Sequence, residues 1–231
     1  MSCDYSKLFD TIGITIKDAQ LIKNVFVHRS YLNEHKGCTP SNEKLEFLGD
    51  SVLSLATSIY LYRHYPHLAE GQYTDIKAAI VRMESLATVA SSLGLGEYLM
   101  LSRGEEANNG RTNTNILADC FEALIAAIFI DQGFETAYEF IVKHLFANRL
   151  GRIIETKSYL SPKSHLQEIV QERFRELPQY TIVSEVGPEH NKIFTVNVSI
   201  QGAIYAHGTG RSKKQAEEAA ARAALEKLNQ R

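Results

Sequence analysis

Four acids dominate the chemistry open to this chain: Glu46 and Asp50 in one segment, and Asp119 and Glu122 in another about 70 residues later. The first pair sits in Asn42-Glu43-Lys44-Leu45-Glu46-Phe47-Leu48-Gly49-Asp50-Ser51-Val52-Leu53, the second in Ile116-Leu117-Ala118-Asp119-Cys120-Phe121-Glu122-Ala123-Leu124. On a helix of about 100° per residue, Glu46 and Asp50 fall within roughly 60° of Glu43. Leu45, Leu48, Val52, Leu55 and Ile59 gather opposite them, and Phe47 sits beside the acids. Asp119 and Glu122 share a face, opposed by Leu117, Phe121, Leu124 and Ile128. Ser54, Ala123 and Ala126 are small residues on the acidic faces, which lets two such helices approach. Acids at this spacing are most often a solvated face. These two faces lack the interspersed Lys or Arg of such surfaces, and Phe47 stands among the acids. If the four converge, their repulsion raises pKa values or calls for a cation. An all-oxygen set suits Mg²⁺ or Mn²⁺, ions that activate water and stabilise in-line displacement at phosphorus. Spacing alone leaves the solvated face and the metal site both open.

The elements that must position these acids follow from periodicity. Leu21, Ile22, Val25 and Phe26 form a helical stripe. Asn42 is a candidate N-cap for a helix from Glu43 to about Tyr65, where Pro66 stops it. A further helix is expected from about Thr74 to Leu93. A loop from Ser102 to Asn115 leads into the second acidic helix, and a last helix runs from about Phe134 to Arg152 after Gly133. No strand signal in this half is convincing.

The pattern changes after Ser158. Ser161-Pro162 opens a helix through about Glu176. Tyr180–Val183, Phe194–Ile200 and Ala203–Ala206 read as strands, the last two joined by a Gln201-Gly202 turn. Ser212 and Gln215 are spaced as a capping box for an Ala-rich final helix, with Ala216, Ala219, Ala220, Ala223, Ala224 and Leu225 as core candidates. The expected fold is an all-α domain over residues 1–155, then a small α+β domain of order α-β-β-β-α over residues 156–231.

Composition narrows the class. The 231 residues carry a net charge of −2, so any basic patch is local. Residues 1–157 hold 15 Lys+Arg against 19 Asp+Glu, and residues 158–231 hold 10 against 8. No apolar run is long enough to span a membrane, and Met1 to Asp10 does not read as a secretory signal. Cys3, Cys38 and Cys120 are scattered and offer neither a metal spacing nor a disulfide framework, so a cytoplasmic location is the expectation. Gly208-Thr209-Gly210-Arg211-Ser212-Lys213-Lys214 reads as a turn feeding a helix N-terminus, where backbone N–H groups and two lysines suit a phosphate. A solvated first turn is the bland alternative. Gly187-Pro188-Glu189-His190 signals a loop.

At these residues the chain resembles bacterial ribonuclease III. The first acidic string closely matches that family's signature, with Lys44 where Arg is frequent. His28-Arg29-Ser30-Tyr31 and the second acidic string resemble its other motifs, and the C-terminal segment resembles a double-stranded RNA-binding domain. The resemblance covers about Leu8 to Leu228. It implies that Glu46, Asp50, Asp119 and Glu122 bind Mg²⁺, with Mn²⁺ as a substitute, and that Asp50 and Glu122 are catalytic. It places Glu43 and Glu70 near the scissile strand and Phe47 in a homodimer contact. It implies that Gln167, Glu168 and His190 meet two minor grooves of double-stranded RNA while Lys213 and Lys214 bind the phosphates between them. Glu217 stands near a further lysine position of that helix. The implied reaction is endonucleolytic hydrolysis of duplex RNA to 5′-phosphate and 3′-hydroxyl ends with short 3′ overhangs. Ribosomal RNA precursors and some messenger and transfer RNA transcripts are the implied substrates, with no membrane partner and no small-molecule cofactor. Asn113-Thr114-Asn115 departs from the family, where many members have Pro. Competing classes are a non-catalytic RNA-binding relative, expected to lose some acids, and a scaffold assembled through Phe47, which explains neither acidic cluster.

Overall fold

A computed structural model describes residues 4–35, 40–147, 149–188 and 191–229. The chain divides into two compact units at Thr156/Lys157.

The first unit is helical: α1 (Ser6–Ile12), α2 (Ala19–Val25), α3 (Tyr31–Glu34), α4 (Glu43–His64), α5 (Glu70–Ile80), α6 (Met83–Ser92), α7 (Arg103–Ala107), α8 (Thr114–Ile141) and α9 (Leu150–Glu155). Its axis is α8, which from Ile116 to Ile128 is apolar and buried nearly all round, Asp119 and Glu122 being the exceptions. Helices α2, α4 and α6 pack on it. Asn113 caps α8, its side chain accepting from the Asn115 and Ile116 amides, so the residues that depart from the family pattern still start this helix well.

Several elements differ from expectation. The helix expected over Thr74–Leu93 is two helices, broken at Val81-Arg82, and the first begins at Glu70. The break lets α6 pack on α8 while α5 packs on α4 and α9, which one straight rod cannot do. The loop expected over Ser102–Asn115 contains α7, capped by Ser102, and a 3₁₀ turn at Gly110–Thr112. The break expected at Gly133 is present as a kink in α8, with φ 85°, but the segment beyond it is divided by a π-helical turn at Val142–Phe146. A single parallel bridge, Val27 to Met100, adds extended backbone. Asn42 does precede α4, but its side chain makes no cap; it is buried and donates to the Val25 carbonyl. Its own amide donates to the Val27 carbonyl, so Asn42 ties the start of α4 to the bridge segment.

The side of α4 that is buried also differs from the wheel. Gly49, Val52, Leu53, Ala56 and Thr57 are buried, whereas Leu55 is 53% exposed. The buried stripe, which also includes Leu61, is turned toward the acids, because Gly49 and Ala56 let α4 approach α8 closely on that side. Two large aromatic residues are left outside: Phe47 is 78% and Tyr62 74% exposed. With Leu55 they lie within about 80° of one another on the wheel.

The second unit is α10 (Pro162–Phe174), β1 (Gln179–Val186), β2 (Ile193–Ile200), β3 (Ala203–Gly210) and α11 (Lys213–Asn229), with an antiparallel sheet in the order β1-β2-β3. Ser161 caps α10 by accepting from the Ser164 amide. Alternation in β2 buries Val196, Val198 and Ile200. Val198 and Ile200 join Leu166, Val170, Ala220 and Ala224 in one core. Ala221 is buried in that core, while Ala219 is only half-buried. Gly208 and Gly210, expected in a turn, belong to β3. A Cβ on Gly208 would stand 2.1 Å from the Ala220 nitrogen, so this strand position admits α11 only as glycine.

Candidate metal centre and nucleic-acid interface

Helices α4 and α8 touch where their acids are. A Cβ on Gly49 would lie 1.9 Å from the carbonyl oxygen of Glu122. Backbone thus meets backbone, and the side chains one turn either way are brought to a common point. Carboxylate oxygens of Glu46, Asp119 and Glu122 all lie within 4.8 Å of one another. Asp50 is exposed and stands outside this group of three, one turn further along α4. Its charge acts on Glu122 more strongly than that of Glu46 or Asp119.

The electrostatics are those of acids forced together. Burial, reinforced by Asp50, Glu46 and Asp119, pushes the Glu122 carboxyl up to about 8. Burial also raises Glu46, helped by Asp119 and Glu43. Asp119 is raised by burial too, although His28 and Arg29 oppose the rise. Such a group stores repulsion that a hard cation relieves. The donor set, three carboxylates and no nitrogen or sulfur, fits a divalent ion of the Mg²⁺ type. Cys120, between the two acids of α8, is buried and its thiol is pushed up by that burial, so it is inert.

The cluster opens into a cleft of about 600 Å³ whose lining is mostly polar and includes Glu43, Glu46 and Asp119. Glu43 is exposed there, accepting from the Ser41 hydroxyl and lying 3.9 Å from Arg29. His28, Glu105 and Asn115 also line this cleft. Periodicity gave these residues no role; the backbone bridge at Val27–Met100 places His28, while Glu105 and Asn115 come from α7 and the first turn of α8. Gly49 had a readable signal, since a glycine inside a helix pattern usually has a packing reason. Glu70 is not in this cleft. It opens α5 and lines a separate hollow with Ser58, Leu61 and Lys77, about 18 Å along α4 from Glu46 at the helical rise.

A family model described as "Ribonuclease-III-like" matches residues 18–149, and a "Double-stranded RNA binding motif" matches residues 162–228. The chain belongs to the ribonuclease III family. Two relatives named Ribonuclease 3 show how far the likeness extends. That of Treponema denticola is 42% identical, covering 94% of this chain and 87% of the relative. That of Listeria monocytogenes is 41% identical, covering 98% and 99%. The solved nuclease domain of ribonuclease III from Campylobacter jejuni aligns with a TM-score of 0.59 at 36% identity, covering 63% of this chain and 99% of that domain. The fold is therefore the helical ribonuclease III nuclease domain followed by the α-β-β-β-α motif, and the family is one of endoribonucleases.

In the double-stranded RNA binding motif, Lys213 and Lys214 are exposed at the first turn of α11. The turn is capped by Ser212, which accepts from the Gln215 amide, while Gln215 accepts from Arg211 N–H. Gln167 is exposed on α10. Glu168 accepts from Lys157 at 2.7 Å. Glu217 is not a free acid beside the lysines: it pairs with Lys163 at 2.6 Å, joining α11 to α10. His190 lies outside the described residues.

Proposed function

We propose that this chain hydrolyses double-stranded RNA endonucleolytically in a divalent-metal-dependent reaction. The observation that carries the reading is the convergence of Glu46, Asp119 and Glu122, with Asp50 beside them, in a chain that also carries a duplex-binding motif. These four acids are assigned as metal ligands, with Asp50 and Glu122 catalytic. The ion is Mg²⁺, which Mn²⁺ can replace, and when bound it supplies an activated water and charge stabilisation at phosphorus. Glu43 lies on the substrate side of the cleft. Products carry 5′-phosphate and 3′-hydroxyl ends with short 3′ overhangs, and precursors of ribosomal RNA with some messenger and transfer RNA transcripts are the substrates, acted on in the cytoplasm.

The working form is a homodimer joined through the exposed Phe47, Leu55 and Tyr62 stripe of α4. A patch of large apolar side chains on an otherwise polar helix face supports that reading. The nuclease domain of the Campylobacter jejuni enzyme has structural flexibility in a region involved in dimer formation. Ser58, which borders the Glu70 hollow, lies on the same side of α4. Pairing through the stripe sets Glu70 against the second copy, where a substrate-side role is open to it.

In the RNA-binding domain, assigned to residues 156–231, Gln167, Glu168 and His190 face the minor grooves and Lys213 and Lys214 the phosphates. The test is a cleavage assay on a simple RNA duplex with Mg²⁺. The duplex is cut, a single strand of the same sequence is not, and EDTA abolishes cutting; cutting that survives chelation overturns the reading. Replacing Lys213 and Lys214 by Ala lowers duplex affinity and flattens the slope of log affinity against log salt by about 2, one unit per lost phosphate contact.

Metal binding is also expected to release protons. A Glu122 carboxyl raised to about 8 is mostly protonated at pH 7, and a ligand must be ionised. Adding Mg²⁺ at pH 7 in weak buffer should release protons, and Glu122→Gln should remove most of that release. The half-maximal metal concentration should fall as pH rises from 6 to 8. A pH-independent metal affinity contradicts the assignment.

A further inference from the structure

His28 is held in a way that the metal chemistry does not require. Its own amide donates to the Met100 carbonyl. The Ser30 amide donates to its Nδ1 at 3.3 Å, and the Ser30 hydroxyl lies 2.8 Å from the same nitrogen. That hydroxyl oxygen meanwhile accepts from the Ser102 amide at 3.1 Å. A backbone N–H can only donate, so Nδ1 is an acceptor, and the Ser30 hydroxyl, whose oxygen accepts from Ser102, donates a second hydrogen bond to the same lone pair. The ring hydrogen is thereby placed on Nε2. No hydrogen-bond partner of Nε2 occurs among the described residues, and the ring lines the cleft.

The surroundings show what an Nε2–H there is for. Glu43, Glu46, Glu105 and Asp119 line the same cleft, and among its lining residues only Arg29 and His28 are basic. A polyanion entering beside four acids needs donors, and Arg29 already lies near Glu43. Burial lowers the imidazole's pKa, with Arg29 acting in the same direction and Glu105, Asp119 and Glu43 opposing, in keeping with the neutral tautomer that the Ser30 contacts fix.

We infer that His28 is a substrate-positioning residue whose Nε2–H donates to a phosphate oxygen of the RNA strand in the cleft, with Ser30 fixing its tautomer. This rests on the proposed duplex cleavage. The step is binding alone; no proton is transferred.

The test compares His28→Ala, His28→Gln, His28→Asn and Ser30→Ala in the full chain on an RNA duplex. A Gln amide nitrogen reaches the place of Nε2, and an Asn nitrogen reaches only that of Nδ1. His28→Ala should raise KM about tenfold, the worth of one hydrogen bond to a charged group, with kcat changed little. Gln should restore most of the loss and Asn none. Ser30→Ala should raise KM less, and should add nothing to His28→Ala. Thermal melts exclude unfolding as the cause. The half-maximal Mg²⁺ concentration should stay unchanged. An unchanged KM, equal behaviour of Gln and Asn, or a raised metal requirement overturns the inference. The same substitutions in a Glu122→Gln background, read by duplex affinity, report on His28 even if the unsubstituted chain proves not to cut duplex RNA, which would refute the proposed function instead.

Discussion

Replacing Glu122 by Gln should lower duplex cleavage by on the order of a thousandfold or more while leaving duplex binding intact. The substitution is nearly isosteric, so Gly49 still meets the α8 backbone and the helices keep their spacing. What is lost is one anionic oxygen among the clustered carboxylates. Binding by the unit beginning at Lys157 is untouched, because Lys213, Lys214 and Gln167 belong to that unit. The stability of the metal-free protein should move oppositely to activity. The native carboxyl, raised to about 8, holds a proton that the unfolded chain releases near its ordinary 4.5. Native protein therefore binds more protons between those values, and stability falls as pH rises through them. An amide has no such dependence, so Glu122→Gln should raise the metal-free Tm, and more at pH 9 than at pH 5. Cleavage within threefold of the parent, or a Tm gain that shrinks with rising pH, contradicts the assignment of Glu122 as the buried, repelled ligand.

Gly49→Ala carries the second large effect, through packing. The added methyl would lie 1.9 Å from the Glu122 carbonyl oxygen and 2.5 Å from its carbon. Those atoms are backbone in the middle of a buried helix and cannot swing aside. Helices α4 and α8 must separate, by roughly an ångström or more at this point. Overpacking of this kind costs about 1–3 kcal/mol. Each kcal/mol is about 2–4 °C in Tm for a chain of this size. The separation also moves Glu46 away from Asp119 and Glu122, and a misplacement of about 1 Å costs on the order of a hundredfold in rate. Thermal melts and the cleavage assay read both effects. Gly71→Ala is the control: it is also helical, and nothing lies within 4 Å of its added methyl, so it should be neutral or slightly stabilising. Equal behaviour of the two variants would show that Gly49 does not set the helix spacing.

Both predictions show where sequence reasoning reached and where it stopped. The acids of α4 and α8 were visible as same-face sets because a helix has a fixed period. The strands were visible because β2 alternates and buries every second residue. On α4 the wheel placed the buried centre too far from the acids: Val52 is buried and Leu45, Leu48 and Ile59 are half-buried, but Leu55 is exposed. Burial was decided by how closely α8 can approach, which favours Gly49, Ala56 and the small flank. Leu53 and Leu61 fall on that buried side, while Phe47, Leu55 and Tyr62 face outward.

The amino-acid sequence by itself determined a helical half followed by an α-β-β-β-α half, the acids that make a metal site conceivable, and the family. All of these depend on local period or on strings of adjacent residues. Tertiary structure alone decided which acids meet: Glu46, Asp119 and Glu122 converge, Asp50 stands at their margin, and Glu70 lies elsewhere in the chain. It also brought His28, Ser30 and Ser102 together across 72 residues of chain, and it paired Glu217 with Lys163. Distances between residues far apart in sequence are set by the packing of helices and the bridge at Val27–Met100, and no periodicity within a segment encodes them.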